Sequence, residues 1–261
     1  MDYKETANGL ITWIKGWFER TGAQGPAVIG ISGGKDSTIV AKLCIEALGA
    51  DNVIGVSLPD EGQDDADAKA VAEAIGLKHL ITIPIETITK ELGGQCAFAI
   101  MDSLSNNGYP VKSEGYKRAA QNMPPRVRMT VLYYVSQMYN GRVANTCNLS
   151  EDYIGYSTMF GDAAGDFSPL SPYTVTEIRG IGEALGIPRE WVWKVPEDGL
   201  PHSCPDEEKF GFSYEVLDKY IRTGVCEDEA VKEKIEKMHR NSQFKRDALH
   251  IAAPFTMLEV H

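Results

Sequence analysis

The chain is short of cysteine and of positive charge, and it has no long apolar run. Its five cysteines (Cys44, Cys96, Cys147, Cys204, Cys226) are odd in number and scattered, with no C-x-x-C pair. That pattern argues against a disulfide framework or a zinc ribbon and suits reduced thiols. His202 and Cys204 could supply half of a metal site, but no second pair at zinc spacing accompanies them, so a plain loop is expected there. No apolar stretch approaches the roughly 20 residues of a membrane span. Met1-Asp2-Tyr3-Lys4-Glu5 lacks the basic region and apolar core of a signal peptide. A cytoplasmic protein without a membrane partner is therefore expected. A net charge of −11 disfavours nucleic acid as a partner, because nonspecific affinity for it comes from neutralising phosphate. Internal repeats, low-complexity segments and long linkers are also missing, so a single domain over 1–261 is expected.

Against these absences, 43% hydrophobic and 24% charged residues describe an ordinary globular protein. The most informative stretch is Val28-Ile29-Gly30-Ile31-Ser32-Gly33-Gly34-Lys35-Asp36-Ser37. It reads as a strand that breaks into a glycine-rich turn and opens a helix. The unpaired N–H groups and positive dipole of a helix start favour an anion, and two glycines let the backbone approach phosphate closely. Asp36 would repel that phosphate unless a divalent cation bridges the two, and Mg²⁺ is the usual choice. A Walker A loop is excluded, because Asp36 separates Lys35 from Ser37. The stretch resembles the S-G-G-x-D-S pyrophosphate loop of enzymes that split ATP between its α- and β-phosphates.

Along the chain, an amphipathic helix is expected over 5–20, with Leu10, Ile11, Ile14, Trp17 and Phe18 on one side. Strands follow at 27–31, 53–58, 79–83 and 142–146, separated by helices at 36–48, from Asp64 to Ile75 and at about 125–139. Another helix begins near Glu151. Short, continuously apolar strands alternating with helices predict an α/β fold with a doubly wound parallel sheet covered on both faces, in three layers. Ligands of such sheets sit at the carboxyl ends of the strands, where strand order reverses. Ser32–Ser37 and Asn145–Glu151 are accordingly expected side by side. The stretches 160–172 and 195–211 read as loops over those strand ends, either able to act as a lid. Lys112, Lys117, Arg118, Arg126 and Arg128, and separately Arg240, Lys245 and Arg246, are the candidate local cations; a solvated helix face explains either group equally well.

A second constellation surrounds the fourth strand. Asn122-Met123-Pro124-Pro125-Arg126-Val127-Arg128-Met129 precedes it. Asn145-Thr146-Cys147-Asn148-Leu149-Ser150-Glu151 and Gly155-Tyr156-Ser157-Thr158-Met159-Phe160-Gly161-Asp162 follow. Together with the loop, these segments resemble the ammonia-dependent NAD synthetases, which show N-x-x-x-R-x-R-M, G-T-x-N-x-S-E and G-Y-F-T-K-[FY]-G-D. Gly62-Gln63 and Phe244-Lys245-Arg246 extend the likeness over most of the chain.

The resemblance implies a Rossmann-like, adenine nucleotide alpha-hydrolase-like domain with a five-stranded sheet. It implies conversion of nicotinic acid adenine dinucleotide, ATP and ammonia to NAD, AMP and pyrophosphate through an acyl-adenylate. ATP would be held by Gly30, Ile31, Ser32, Gly33, Gly34, Lys35, Asp36 and Ser37, with Thr146 against it. Mg²⁺ would be bound by Asp36 and Glu151. The dinucleotide would meet Arg126, Asp166 and Lys245, and Asp162 would orient ammonia. The plainer roles are a helix-start acid for Glu151, a cap or turn for Thr146, and a surface ion pair for Arg126 and Arg128. Homodimers are expected, with Trp13 and Trp17 of the first helix open to either an interface or core packing. No glutaminase accompanies the motifs, so free ammonia is the expected nitrogen source unless a separate subunit delivers it.

Three positions depart from the family pattern: Met159 and Val175 stand where lysines are expected, and Glu197 where a serine or threonine is. The departures leave two other readings open. One is a pyrophosphate-loop enzyme with a different acceptor, such as a sulfur-transfer or tRNA-modifying protein, for which Cys147 offers a thiol. The other is a weakly catalytic nucleotide-binding paralogue.

Overall fold

The structure is a computed structural model that describes residues 1–195 and 205–247. Helix α1 (Tyr3–Thr21) starts where the Asp2 carboxylate accepts from Lys4 N and Glu5 N, each at 3.0 Å, and buries Ala7, Leu10, Ile14 and Phe18. The chain then alternates β1 (Ala27–Gly30), α2 (Lys35–Leu48), β2 (Val53–Ser57), α3 (Ala66–Ile75), β3 (His79–Thr82) and α4 (Glu86–Ser103). Next come α5 (Ser113–Met138), β4 (Arg142–Val143), α6 (Leu149–Ile154), α7 (Val175–Ala184) and α8 (Arg189–Val192). After the segment outside the description follow α9 (Asp206–Phe210), α10 (Tyr214–Thr223), α11 (Glu229–Asn241) and α12 (Gln243–Arg246).

All strand pairs are parallel and the order is β3-β2-β1-β4. Chain order therefore reverses between β1 and β4, and that is the switch point of the sheet. Side chains alternate across β1. Ile29 packs with Ile14, Ile39, Leu43 and Ile178 on one face, while Val28 packs with Val56, Ile85, Val127 and Val135 on the other. This is the doubly wound, three-layer arrangement expected.

Among the described residues the sheet has four strands, not five. The fifth position is reduced to one parallel bridge, Ala144 to Phe167. Asn145 N donates to Phe167 O and Asp166 N to Val143 O, each at 2.8 Å. The segment cannot extend this ladder. A Cβ on Gly165 would come within 2.6 Å of Asn145 Cβ, and Pro169 and Pro172 have no N–H to donate. A second difference is at the opposite edge, where His79, Ile81 and Thr82 of β3 stay exposed instead of being covered.

Helices α9–α11 carry a third apolar cluster onto α6 and α7, built on Ile154, Val175, Phe210, Tyr214, Leu217 and Ile235. A buried polar bracket fixes this join. Ser150 Oγ donates to Asp218 Oδ1 at 2.5 Å, Val175 N to Ser150 Oγ at 2.9 Å, and Thr176 N to Asp218 Oδ2 at 2.7 Å. Asp218 thus satisfies the first turn of α7, where a carboxylate is favoured. Trp17 packs against Phe18 and Phe167, with ring centroids 5.3 and 5.0 Å away, so it belongs to the core. Trp13 lies at the edge, 38% exposed.

Candidate active site

The loop after β1 is held open by its own hydroxyls. Ser32 Oγ accepts from Gly34 N at 3.2 Å and lies 3.3 Å from Ser37 Oγ, while Ser37 Oγ and Thr38 Oγ1 donate to Gly34 O at 3.2 and 2.7 Å. Gly34 at the N-cap supplies no side-chain cap, which leaves the helix start available to an anion. Gly33 has φ +79°, and a Cβ there would meet Asp67 Cβ at 2.4 Å. Lys194, just beyond α8, pairs with Asp67 and donates to Gly33 O at 3.4 Å.

The segment after β4 meets this loop as expected. Fully buried Asn148 is the hinge between them. Its Nδ2 donates to Asp36 Oδ1 at 3.3 Å, and its Oδ1 accepts from Glu151 N at 3.1 Å, capping α6. One side chain thus sets Asp36 relative to Glu151. Lys35 is buried, and its Nζ donates to Asp36 Oδ2 at 2.9 Å. Glu151 is half-buried, with its pKa pushed well above the usual carboxylate range by desolvation and then by the charge of Asp36; Lys35 opposes the rise. Tyr214, fully buried, has its phenol pushed up by burial and by Glu151, Asp206 and Asp36. Thr146 is half-buried in the turn leading to Asn148.

The remaining site residues fall into two groups. Arg126 Nε donates to Met159 O at 3.4 Å, and Lys245 Nζ donates to Gly155 O at 2.7 Å and Ser157 O at 2.5 Å. Burial lowers the Lys245 pKa, Asp162 raises it and Arg126 lowers it, which places these three in one neighbourhood. Asp162 accepts from Thr158 N at 2.7 Å. A cleft of about 310 Å³ adjoins them, lined by Leu149, Asp152, Gly155, Ser157, Met159 and Lys245 among others. On its wall, desolvation and the charge of Asp162 push the Asp152 pKa up to about 6. Asp166 stands apart: its Oδ2 accepts from Val143 N at 2.7 Å and its Oδ1 from Tyr133 Oη at 3.4 Å, tying β4 to α5.

The expected cations have dispersed. Lys117 pairs with Glu114 and Arg240 with Glu236. Arg128 Nε donates to Leu58 O at 3.0 Å and its Nη2 to Gln63 Oε1 at 2.9 Å, fastening the loop after β2 to α5. Arg246 donates to Asp152 O, Tyr153 O and His239 O, closing α6 onto the C-terminal helices. Val175 is buried beside Tyr214 rather than facing a ligand. Glu197, His202 and Cys204 lie outside the described residues, as does much of 195–211. Cys147 is buried, its thiol donating to Asp162 O at 3.3 Å, and its pKa is pushed up by desolvation and by Glu151, Asp162 and Asp152. A thiol held neutral in this way is a poor sulfur nucleophile.

A family described as NAD synthase matches residues 6–249. The chain belongs to the NAD synthase family. The ammonia-dependent NAD(+) synthetase of Methanococcus aeolicus is 36% identical over 224 residues, covering 85% of this chain and 83% of that protein. The one from Archaeoglobus fulgidus is 34% identical over 261 residues, covering 97% and 98%. In three dimensions, the NMN synthetase of Francisella tularensis superposes with a TM-score of 0.82 at 26% identity, covering 99% of this chain and all of the other. Two residues of this candidate site carry no role in the motif reading, Asn148 and Tyr214. Asn148 had a local signal, an Asn three residues before Glu at a helix start. Tyr214 had none.

Proposed function

We propose that the chain makes NAD from nicotinic acid adenine dinucleotide, ammonia and ATP, by adenylating the carboxylate and releasing pyrophosphate before ammonia attacks. The observation that carries this reading is the Asn148 bridge, which sets Asp36 and Glu151 together at the switch point, in front of an open helix start. Amide formation from a carboxylate is uphill in water, so an adenylate must supply the leaving group. Positioning and charge stabilisation then do most of the catalysis. The turn Gly30–Ser37 and Thr146 cradle the ATP phosphates. Arg126 and Lys245 receive the anionic acceptor, Asp166 holds the adjoining sheet edge against it, and Asp162 orients ammonia.

Two carboxylates without further protein ligands suit Mg²⁺, which takes oxygen donors and completes its shell with water and substrate phosphate. Burial, and after it the charge of Asp36, pushes the Glu151 pKa well above the usual carboxylate range, so a cation placed between the two carboxylates would favour their charged forms. Bound there, Mg²⁺ would neutralise charge developing on the leaving pyrophosphate. Asp36 and Glu151 would hold it.

Residues 1–261 act as one domain, a reading supported by the docking of α9–α12 on α6 and α7. No helix among the described residues is long and apolar enough to cross a membrane. The free thiols Cys44, Cys96, Cys147 and Cys226 suit the cytoplasm. Measuring NAD and pyrophosphate together, from Mg-ATP, ammonium and the dinucleotide, tests the activity: equal yields are expected. Pyrophosphate without NAD would overturn the acceptor. The likeness to an NMN synthetase makes the nicotinic acid mononucleotide the second acceptor to offer, with NMN as its product.

The partner on the far side of the sheet is a second copy. Helix α4 buries none of its 18 residues, and Phe98 (76%), Tyr109 (76%), Tyr116 and Met101 of the α4–α5 hairpin are exposed. A monomer rarely leaves so large a patch uncovered. Phe98→Glu with Met101→Glu is expected to convert a dimer to a monomer by light scattering. An unchanged mass would place the interface elsewhere.

A further inference from the structure

A lysine between a glycine pair and an aspartate would ordinarily reach into water. Here the Lys35 side chain is 2% exposed. Its Nζ lies 2.9 Å from Asp36 Oδ2 and 5.7 Å from the centroid of the Tyr214 ring, whose hydroxyl points to buried Asp206 at 3.4 Å. Asn148 Nδ2 occupies the other Asp36 oxygen at 3.3 Å. Both oxygens of the carboxylate proposed to hold metal are therefore engaged from within the protein. The surroundings are acidic, with Asp36, Glu151 and Asp206 all acting on Tyr214. Lys35 is paired with Asp36, and its charge also opposes the rise in the Glu151 pKa.

An ammonium and a divalent metal compete for the same oxygen, since both bind where negative charge is least compensated. Phosphate offers the ammonium a better alternative, because its oxygens can accept directly at the loop where Lys35 begins α2. We propose that Lys35 is a built-in counter-ion that keeps Asp36 closed to divalent metal until nucleotide phosphate draws the ammonium away, so that metal enters with ATP and not ahead of it. This rests on the metal position proposed above at Asp36 and Glu151.

The test is Mn²⁺ binding to nucleotide-free protein, followed by electron paramagnetic resonance, because Mn²⁺ accepts the same oxygen donors. Lys35→Met keeps the stem packed on Tyr214 and removes the charge. It is expected to bind Mn²⁺ about ten-fold more tightly than the wild type without nucleotide. Lys35→Arg, which keeps the charge, is expected to stay within about three-fold of the wild type. A non-hydrolysable ATP analogue should bring the wild type up to the Lys35→Met affinity. Equal Mn²⁺ affinities for wild type and Lys35→Met without nucleotide would overturn the counter-ion role and leave the metal position standing. No Mn²⁺ bound to either protein with the analogue present would overturn both. Lys35→Gln gives the same comparison should the methionine variant fail to fold.

Discussion

Asp36→Asn is expected to lower kcat/KM for NAD formation by about a thousand-fold, which is the scale of losing a preorganised charge at a reacting phosphate. The substitution is nearly isosteric, so the loss is chemical before it is structural. An amide cannot neutralise a divalent cation, and its NH₂ group would face either the Asn148 amide or the Lys35 ammonium, both donors toward Asp36 in the native protein. Lys35 would then be a buried charge without its partner. The fold should accordingly lose about 1–2 kcal/mol, a cost reduced because Asp36 keeps some solvent contact. Thermal melting separates the two effects. A folded variant with the thousand-fold loss supports the metal-binding role, whereas a loss below about ten-fold would reassign Asp36 to holding Lys35 in place.

Where physics is local, the fold was legible in the sequence. β1 turns into α2 within five residues, and the apolar strand, the glycine pair and the helix-start acid each announce their own conformation. The switch point followed from alternation alone, and with it the meeting of the Gly30–Ser37 and Asn145–Glu151 segments. The fifth strand did not follow, because a family likeness carries no information about how closely Gly165 must approach Asn145 here. Helix α5 begins at Ser113, well ahead of the start expected at about 125, and runs through Pro124 and Pro125. Proline reads as a helix start, and packing of the helix through Val127 and Val135 against Val28 and Val56 of the sheet overrides that preference. Helix α4 had no expectation at all, since the Gly93-Gly94 pair blurs its period and no face of it is buried.

The site was legible in membership more than in arrangement. Asp36 and Glu151 were named, but the residue that joins them lies 112 positions from Asp36 in the chain. Lys35 was expected among the residues around ATP, and its burial was not legible because Tyr214, over whose ring its ammonium sits, comes from a helix far along the chain. Arg128 and Arg246 were candidate local cations, with a solvated helix face an equal alternative. Their actual partners are backbone carbonyls and an amide, which no charge pattern encodes.

Gly33→Ala is expected to weaken ATP binding by about thirty-fold, equivalent to ~2 kcal/mol. Two costs add to that figure. At φ +79° any side chain strains the backbone by about 1–2 kcal/mol, and relaxing φ would disturb the turn in which Gly34 N donates to Ser32 Oγ. The new methyl would also lie 2.4 Å from Asp67 Cβ and 3.2 Å from Asp67 C, so α3 or the loop must move. The Asp67 carboxylate holds Lys194, whose ammonium reaches Gly33 O, so displacement on one side of the loop is transmitted to the other. Fluorescent-nucleotide titration of the variant checks the loss. Asp67→Gly in the Gly33→Ala background separates the two costs: removing the Cβ contact should recover the steric share, while the φ strain persists. Recovery to wild-type affinity would show that the left-handed turn itself is unimportant. No recovery at all would assign the whole effect to backbone conformation.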